Sequence, residues 1–241
     1  MQTRSAEGRV DQTILRPAAV TRVLGAVAFL LVLAGIAGQL SRHVFGHGEV
    51  HELVRLFDFD VEGNVPTLFS VLLLLFAALL LAVIAASRKR QAEPDAMKWG
   101  VLAIGFLFMA IDEAASIDVL LILAARALLG QAAPDIFHWA WIIPGIAIVL
   151  LFALYFIGFI LRLPPRMGYT SLLAGFLYVG GAVGCELIAE HYAKLHGTRS
   201  LVYNVFAAVG ESLEMAGSII FIYALLRYLA DNRQEVRIRF R

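Results

Sequence analysis

The chain has 241 residues, 60% hydrophobic and 16% charged, and its mean hydropathy of +0.79 excludes an ordinary water-soluble domain in favour of membrane spans. A formal net charge of +1 excludes a generally basic nucleic-acid-binding protein. The single cysteine, Cys185, excludes an intrachain disulfide framework and a CxxC metal or redox motif, and its apolar surroundings fit a small packing residue.

Neither a long repeat nor a low-complexity tract is visible, and the loops are too short for a separate soluble domain. The expected fold is all-α: a polytopic membrane helix bundle of six transmembrane helices with both termini cytoplasmic. Its parts are a cytoplasmic N-terminal segment over residues 1–22, a transmembrane domain over 23–229 and a basic cytoplasmic tail over 230–241. Arg4, Arg9, Arg16 and Arg22 mark the polar leader, which is too long for a secretory signal peptide. The first span covers residues 23–40, where Ala34 and Gly38, four apart, suit close helix packing.

The longest loop, residues 41–64, places His43, His47 and His51 at four-residue intervals, as metal ligands on one helical face would be. Gly46 and Gly48 interrupt that helix, so solvated interfacial histidines are expected, followed by an amphipathic piece with Val50, Leu53, Val54, Leu56 and Phe57. Asp58, Asp60, Glu62 and Gly63 then imitate the start of a calcium loop. The position of its bidentate glutamate is Phe69, so no calcium site is expected.

The second span, residues 65–86, starts with Pro66 at a tolerated position and ends before Arg88, Lys89 and Arg90. The third begins at Trp99 and stays helix-compatible to Leu129, with Asp112 and Ser116 on one face and Glu113 and Asp118 elsewhere. Pro134 and Asp135 make the next turn, and His138, Trp139 and Trp141 fit an aromatic belt. The fourth span runs to Leu161, with Pro144 as a kink and Pro164 and Pro165 as its stop.

The fifth span carries Glu186, Glu190 and His191 where hydrocarbon is expected, which makes them functional suspects. Its Gly180 and Gly184 form a GxxxG spacing, with Gly175 and Gly181 as further points of close approach. The sixth, residues 202–229, aligns Gly210, Glu211, Glu214, Gly217 and Ser218 on one stripe. With these spans, 15 Lys and Arg fall beside the termini and the loops after spans two and four, against 5 opposite, which sets both termini in the cytoplasm. Thirteen of the acidic residues and all six histidines fall on the outer side.

A helical rise of about 1.5 Å per residue brings Asp112, Glu113, Glu186, Glu190, Glu211 and Glu214 to similar depth in the outer half. Facing lipid would cost each charge about 2.5 to 3.5 kcal/mol, so protein or water is expected around them. Two carboxylates 4 Å apart repel by about 4 kcal/mol at an effective dielectric of 20, and something must neutralise several. Lys194 and Arg126 lie at other depths, which leaves protons or a divalent metal ion. The expected metal set is Asp112, Glu113, Glu186, Glu190, His191, Glu211 and Glu214. Its spacing differs from the Glu-x-x-His pattern of four-helix di-iron proteins. A structural alternative is a set of protonated carboxyls satisfied by Ser116, Ser212, Tyr192 or backbone.

The segments FMAIDEAASI and GESLEMAGSIIFIYALLRYL resemble parts of bacterial multipass proteins described as uncharacterised integral membrane proteins, the likeness extending from DFDVEGNVPT through span six. The resemblance implies the bacterial inner membrane and carries no activity. The members it resembles often have His where this chain has Asp118, a departure that puts a ligand role for Asp118 in doubt. Three functions are therefore weighed: a metal-cation site, with metal-dependent catalysis on a lipid or small apolar substrate as one use; an accessory subunit packing against a membrane-protein partner or its own copy in the lipid bilayer; and proton or cation transport. The last lacks an ionisable relay through Val101 to Met109, Leu172 to Val179 and Ile219 to Leu226, so a pocket closed to the inside is expected.

Overall fold

A computed structural model describes residues 16–45, 56–57, 63–115, 136–197 and 200–232. Among them there is no strand. Hydrocarbon offers no partner for a free N–H or C=O, so apolar Leu, Ala and Val runs close their backbone bonds within helices. These are α1 (Pro17–Phe45), α2 (Val65–Arg90), α3 (Ala96–Ala115), α4 (Ile136–Ile160), α5 (Pro165–Val179), a π-helical segment (Gly180–Cys185), α6 (Glu186–His196) and α7 (Leu201–Asp231). The α5, π and α6 pieces continue one another as a single rod, Pro165–His196, of 32 residues.

Among the described residues, four rods are long and apolar enough to cross a membrane: Pro17–Ser41, Val65–Arg90, Pro165–His196 and Val202–Asp231. The twenty-residue α3 carries Lys98 near its start and Asp112 and Glu113 near its end. Helix α4 has 25 residues, of which the stretch Val149–Ile160 is apolar. His47, His51, Asp58, Asp60, Glu62, Ser116, Asp118, Arg126, the leader before Arg16 and the tail after Asn232 lie outside the described residues. So do the side chains of His43, His138, Trp139, Trp141 and Pro144.

Local chemistry sets the helix ends. Asn64 caps α2, its Oδ1 accepting from the Thr67 N–H and the Thr67 hydroxyl at 2.9 Å each, while Pro66 occupies the first turn, where a missing N–H costs nothing. Gly197, at φ 82°, reverses the chain after α6, and Ser200 caps α7 through the Tyr203 N–H at 3.2 Å.

Helix α7 is the hub, packing against α1, α2, α5, the π segment and α6, while α2 and α3 pair along their length. The apolar core lies toward one end of the bundle: Leu73, Leu81 and Ile84 of α2, Phe156 and Phe159 of α4, Met167 of α5, and Ile222 and Leu225 of α7. Trp99 meets Phe159 edge-on at 5.0 Å and lies tilted on Tyr228 at 5.2 Å. The Arg88 guanidinium, paired with Glu93, donates to the Tyr228 hydroxyl and stands 5.4 Å from that ring. Asp95 takes Arg162 at 3.3 Å and Lys98 at 3.8 Å. This belt joins the end of α2, the start of α3, the end of α4 and the end of α7.

Trp99 is 2% exposed at the centre of this belt, whereas Leu79 is 60% exposed on α2. Trp99→Ala is expected to cost about 3 to 5 kcal/mol and Leu79→Ala under about 0.5 kcal/mol. Thermal unfolding in mild detergent checks the contrast.

Candidate functional site: a carboxylate centre on the last helix

The α6–α7 reversal at Gly197 lays the fifth-span rod antiparallel to α7, and glycine then decides how close they come. A Cβ at Gly181 would stand 2.9 Å from the Glu214 Cγ and closer still to the Gly210 carbonyl oxygen. One at Gly217 would meet the Ala174 oxygen at 2.7 Å and the Tyr178 nitrogen at 2.9 Å. At Gly210 it would meet the Cys185 Cβ at 3.2 Å. The two backbones touch, which no residue with a Cβ permits. Cβ atoms at Gly175, Gly180 and Gly184 would meet nothing within 4 Å. Of the four glycines expected as close-approach points in span five, Gly181 alone has that role. On α1 likewise, Leu31 and Gly35 are buried, and the expected Ala34 and Gly38 only partly so.

This contact sets the carboxylates. Glu214 lies in the electric field of Glu211, Glu113 and Glu186, and Glu211 in that of Glu113. Tyr178 feels Glu214, Glu113, Glu211 and Asp112. Asp112, Glu113, Glu211 and Glu214 are part-buried, while Glu186 is exposed at the start of α6. From the Trp99–Tyr228 belt, Asp112 and Glu113 are about 20 Å along α3 and Glu214 and Glu211 about 21 to 26 Å along α7, so the two helices deliver them to one depth.

Five of the seven expected residues are thus brought together. Of the other two, Glu190 lies a turn further along α6, part-buried, and His191 is exposed with its ring 6.3 Å from Tyr192. Among the described residues, no group of three or more His, Cys, Asp or Glu is arranged to hold a metal ion. The expected seven-residue ligand set is therefore not assembled as a chelating shell. Of the hydroxyls expected to satisfy protonated carboxyls, Ser212 donates to its own helix, at Ala208 O, at 2.6 Å. Tyr192 stacks on His196 and Phe206 at 5.8 and 6.3 Å. Tyr178, which sequence reasoning left on the apolar side of span five, stands beside the acids instead. Its eight-residue offset from Glu186 was the available signal.

Residues 18–229 match a family described as Domain of unknown function (DUF8692). The chain belongs to that family. No curated protein and no solved structure matches it. The matched stretch takes in every carboxylate of the centre, the π segment and nearly all of α1 and α7, so the DUF8692 domain is the whole helical bundle rather than a module within it.

Gly181→Ala is expected to force the rods apart and cost about 1 to 3 kcal/mol. Gly184→Ala has room and is expected to change stability by less than about 1 kcal/mol. Melting the two variants side by side in one detergent checks which glycine carries the contact.

Proposed function

We propose that the chain is a six-span protein of the bacterial inner membrane with a cation site in the outer half of one transmembrane domain, residues 23–229. Residues 1–22 and 230–241 then lie in the cytoplasm. The belt supports this topology, because the ends of α2, α4 and α7 and the start of α3 meet there, as alternate spans require, together with Arg88, Lys98 and Arg162. The placing of Asp112 and Glu113 on α3 and Glu211 and Glu214 on α7 at one depth, with Glu186 on the rod packed against α7, carries the functional reading, because a cation is attracted to carboxylates grouped in this way. With no chelating group of three among the described residues, a divalent ion held through its water shell fits better than a stripped one.

Protein purified without chelators and dialysed against excess Mn²⁺ tests the reading by elemental analysis. Near-stoichiometric metal is expected, reduced several-fold by Glu214→Gln and unchanged by Asp231→Asn, which removes an exposed acid at the opposite end. Absence of bound metal in the unsubstituted protein sinks the proposal.

The apolar core between belt and carboxylates favours a site closed to the cytoplasm over a transport path. Liposomes loaded with a pH dye and a divalent-metal indicator should show no gradient-driven flux. Flux abolished by Glu214→Gln would make transport the better reading. A second reading, an accessory subunit, draws on α4, where Leu150, Leu151 and Leu154 are exposed. Cross-linking in native membranes that captures one fixed partner, without metal, would favour it.

A further inference from the structure

Two aromatic contacts join α3 to α7: Trp99 lies on Tyr228 at 5.2 Å, and Phe106 stacks on Phe221 at 5.0 Å and 15°. From the first contact to the second the chain moves seven residues, forward on α3 and backward on α7. Seven residues make nearly two turns, about 10.5 Å of rise and about 20° of drift, so successive members stay on one face. A third step of the same length sets Glu113 opposite Glu214. The face of α3 that lays rings on α7 therefore carries Glu113 next, and the face of α7 that receives them carries Glu214. Asp112 falls about 100° round from Glu113.

Helix α2 packs on both α3 and α7 and so flanks this ladder. It runs the same way as α7, and Arg88 donates to the Tyr228 hydroxyl, which fixes their relative level. Eighteen residues back from each of these, Ser70 stands level with Gly210, about 27 Å from the belt and beside Glu211 in depth. Helical side chains lean toward their own N-terminus, which on α7 carries the Glu214 carboxylate toward that level. Around α2, Ser70 lies within about 20° of Ala77 and Leu81, both fully buried in the bundle, so it faces the interior as they do.

Ser70 is 8% exposed, and its Oγ has no hydrogen-bond partner among the described residues. The hydroxyls of Thr21, Thr170 and Ser212 instead donate to the carbonyl four residues back, at 3.0, 2.7 and 2.6 Å. A buried hydroxyl left without a partner costs free energy, and a bound ion repays it.

We infer that a cation is held between Glu113 and Glu214 with the Ser70 hydroxyl as its neutral oxygen ligand. Two carboxylates and one hydroxyl, with water completing the shell, suit a hard divalent ion such as Mn²⁺. The inference rests on the cation reading proposed above, and its test separates the two.

The whole protein in mild detergent is melted with and without Mn²⁺, and bound metal is measured by elemental analysis. Ser70→Ala removes a hydroxyl with no partner to lose, so without metal it should melt no lower than the unsubstituted protein. Its bound Mn²⁺ should fall several-fold, and the rise in Tm that Mn²⁺ produces should shrink with it. Ser70→Cys offers a softer ligand atom at the same place, and the ratio of bound Cd²⁺ to Mn²⁺ should rise several-fold. Ser171 also has a buried, unpartnered Oγ, but it lies on the belt side of Ala174, and Ser171→Ala should leave bound Mn²⁺ unchanged. Glu113→Gln should lose more metal than Asp112→Asn.

If the unsubstituted protein binds metal, two results overturn Ser70 as a ligand and leave the cation reading standing: Mn²⁺ content unmoved by Ser70→Ala, or a Cd²⁺ to Mn²⁺ ratio unmoved by Ser70→Cys. A Ser70→Ala protein that melts well below the unsubstituted one without metal makes the hydroxyl structural and also overturns it. A larger loss from Asp112→Asn than from Glu113→Gln overturns the pairing across the ladder. No metal in the unsubstituted protein removes both readings.

Discussion

Two backbones meet at Gly181 and Gly210 with no side chain between them, and the far half of the bundle is built on that contact. Helix axes ordinarily stand 8–10 Å apart because side chains keep them there. Here the glycines let carbonyl and Cα surfaces touch, the approach by which helices associate where hydrophobic driving force between them is absent. Glu214 contributes its own backbone nitrogen and Cγ to the Gly181 contact, so its carboxylate is tied to the interface rather than free to swing to another face. Glu211, three residues away, is carried with it.

The bundle is graded along its axis. Toward the belt, packing is apolar and aromatic, closed by Trp99, Phe159 and Tyr228, with the cations Arg88 and Lys98 laid over rings rather than buried bare. Among the described residues, the buried polar ones are Asn64, which caps α2, Ser70 of α2 and Asn204 of α7 toward the far end, and Ser218 of α7 one turn from Glu214 on the belt side. Polar groups are expensive to bury alone and cheaper where partners or water are near. The carboxylates stand on the polar side of this gradient, with the apolar core between them and the belt.

The helices were legible because their signal is one of composition. The second span, expected at residues 65–86, is α2 at Val65–Arg90, and helical rise sets Asp112 and Glu113 of α3 level with Glu211 and Glu214 of α7. What escaped was rotation. A GxxxG pattern marks glycines but not the face they line, and Gly180, Gly181 and Gly184 look equally suited to packing until the backbone shows that Gly181 alone is pressed on α7. The sequence carries no mark of the π turn, so every angle past Gly180 was reckoned in the wrong frame.

A wide turn is also the one irregularity that hydrocarbon tolerates at little cost. A loop at this depth would leave N–H and C=O groups without water, whereas a π turn keeps each group bonded, merely to the next residue along. The rod thus changes its angular register without losing a backbone partner, and the segment's small residues, Gly180, Gly181, Ala182 and Gly184, leave few side chains for the wider turn to displace.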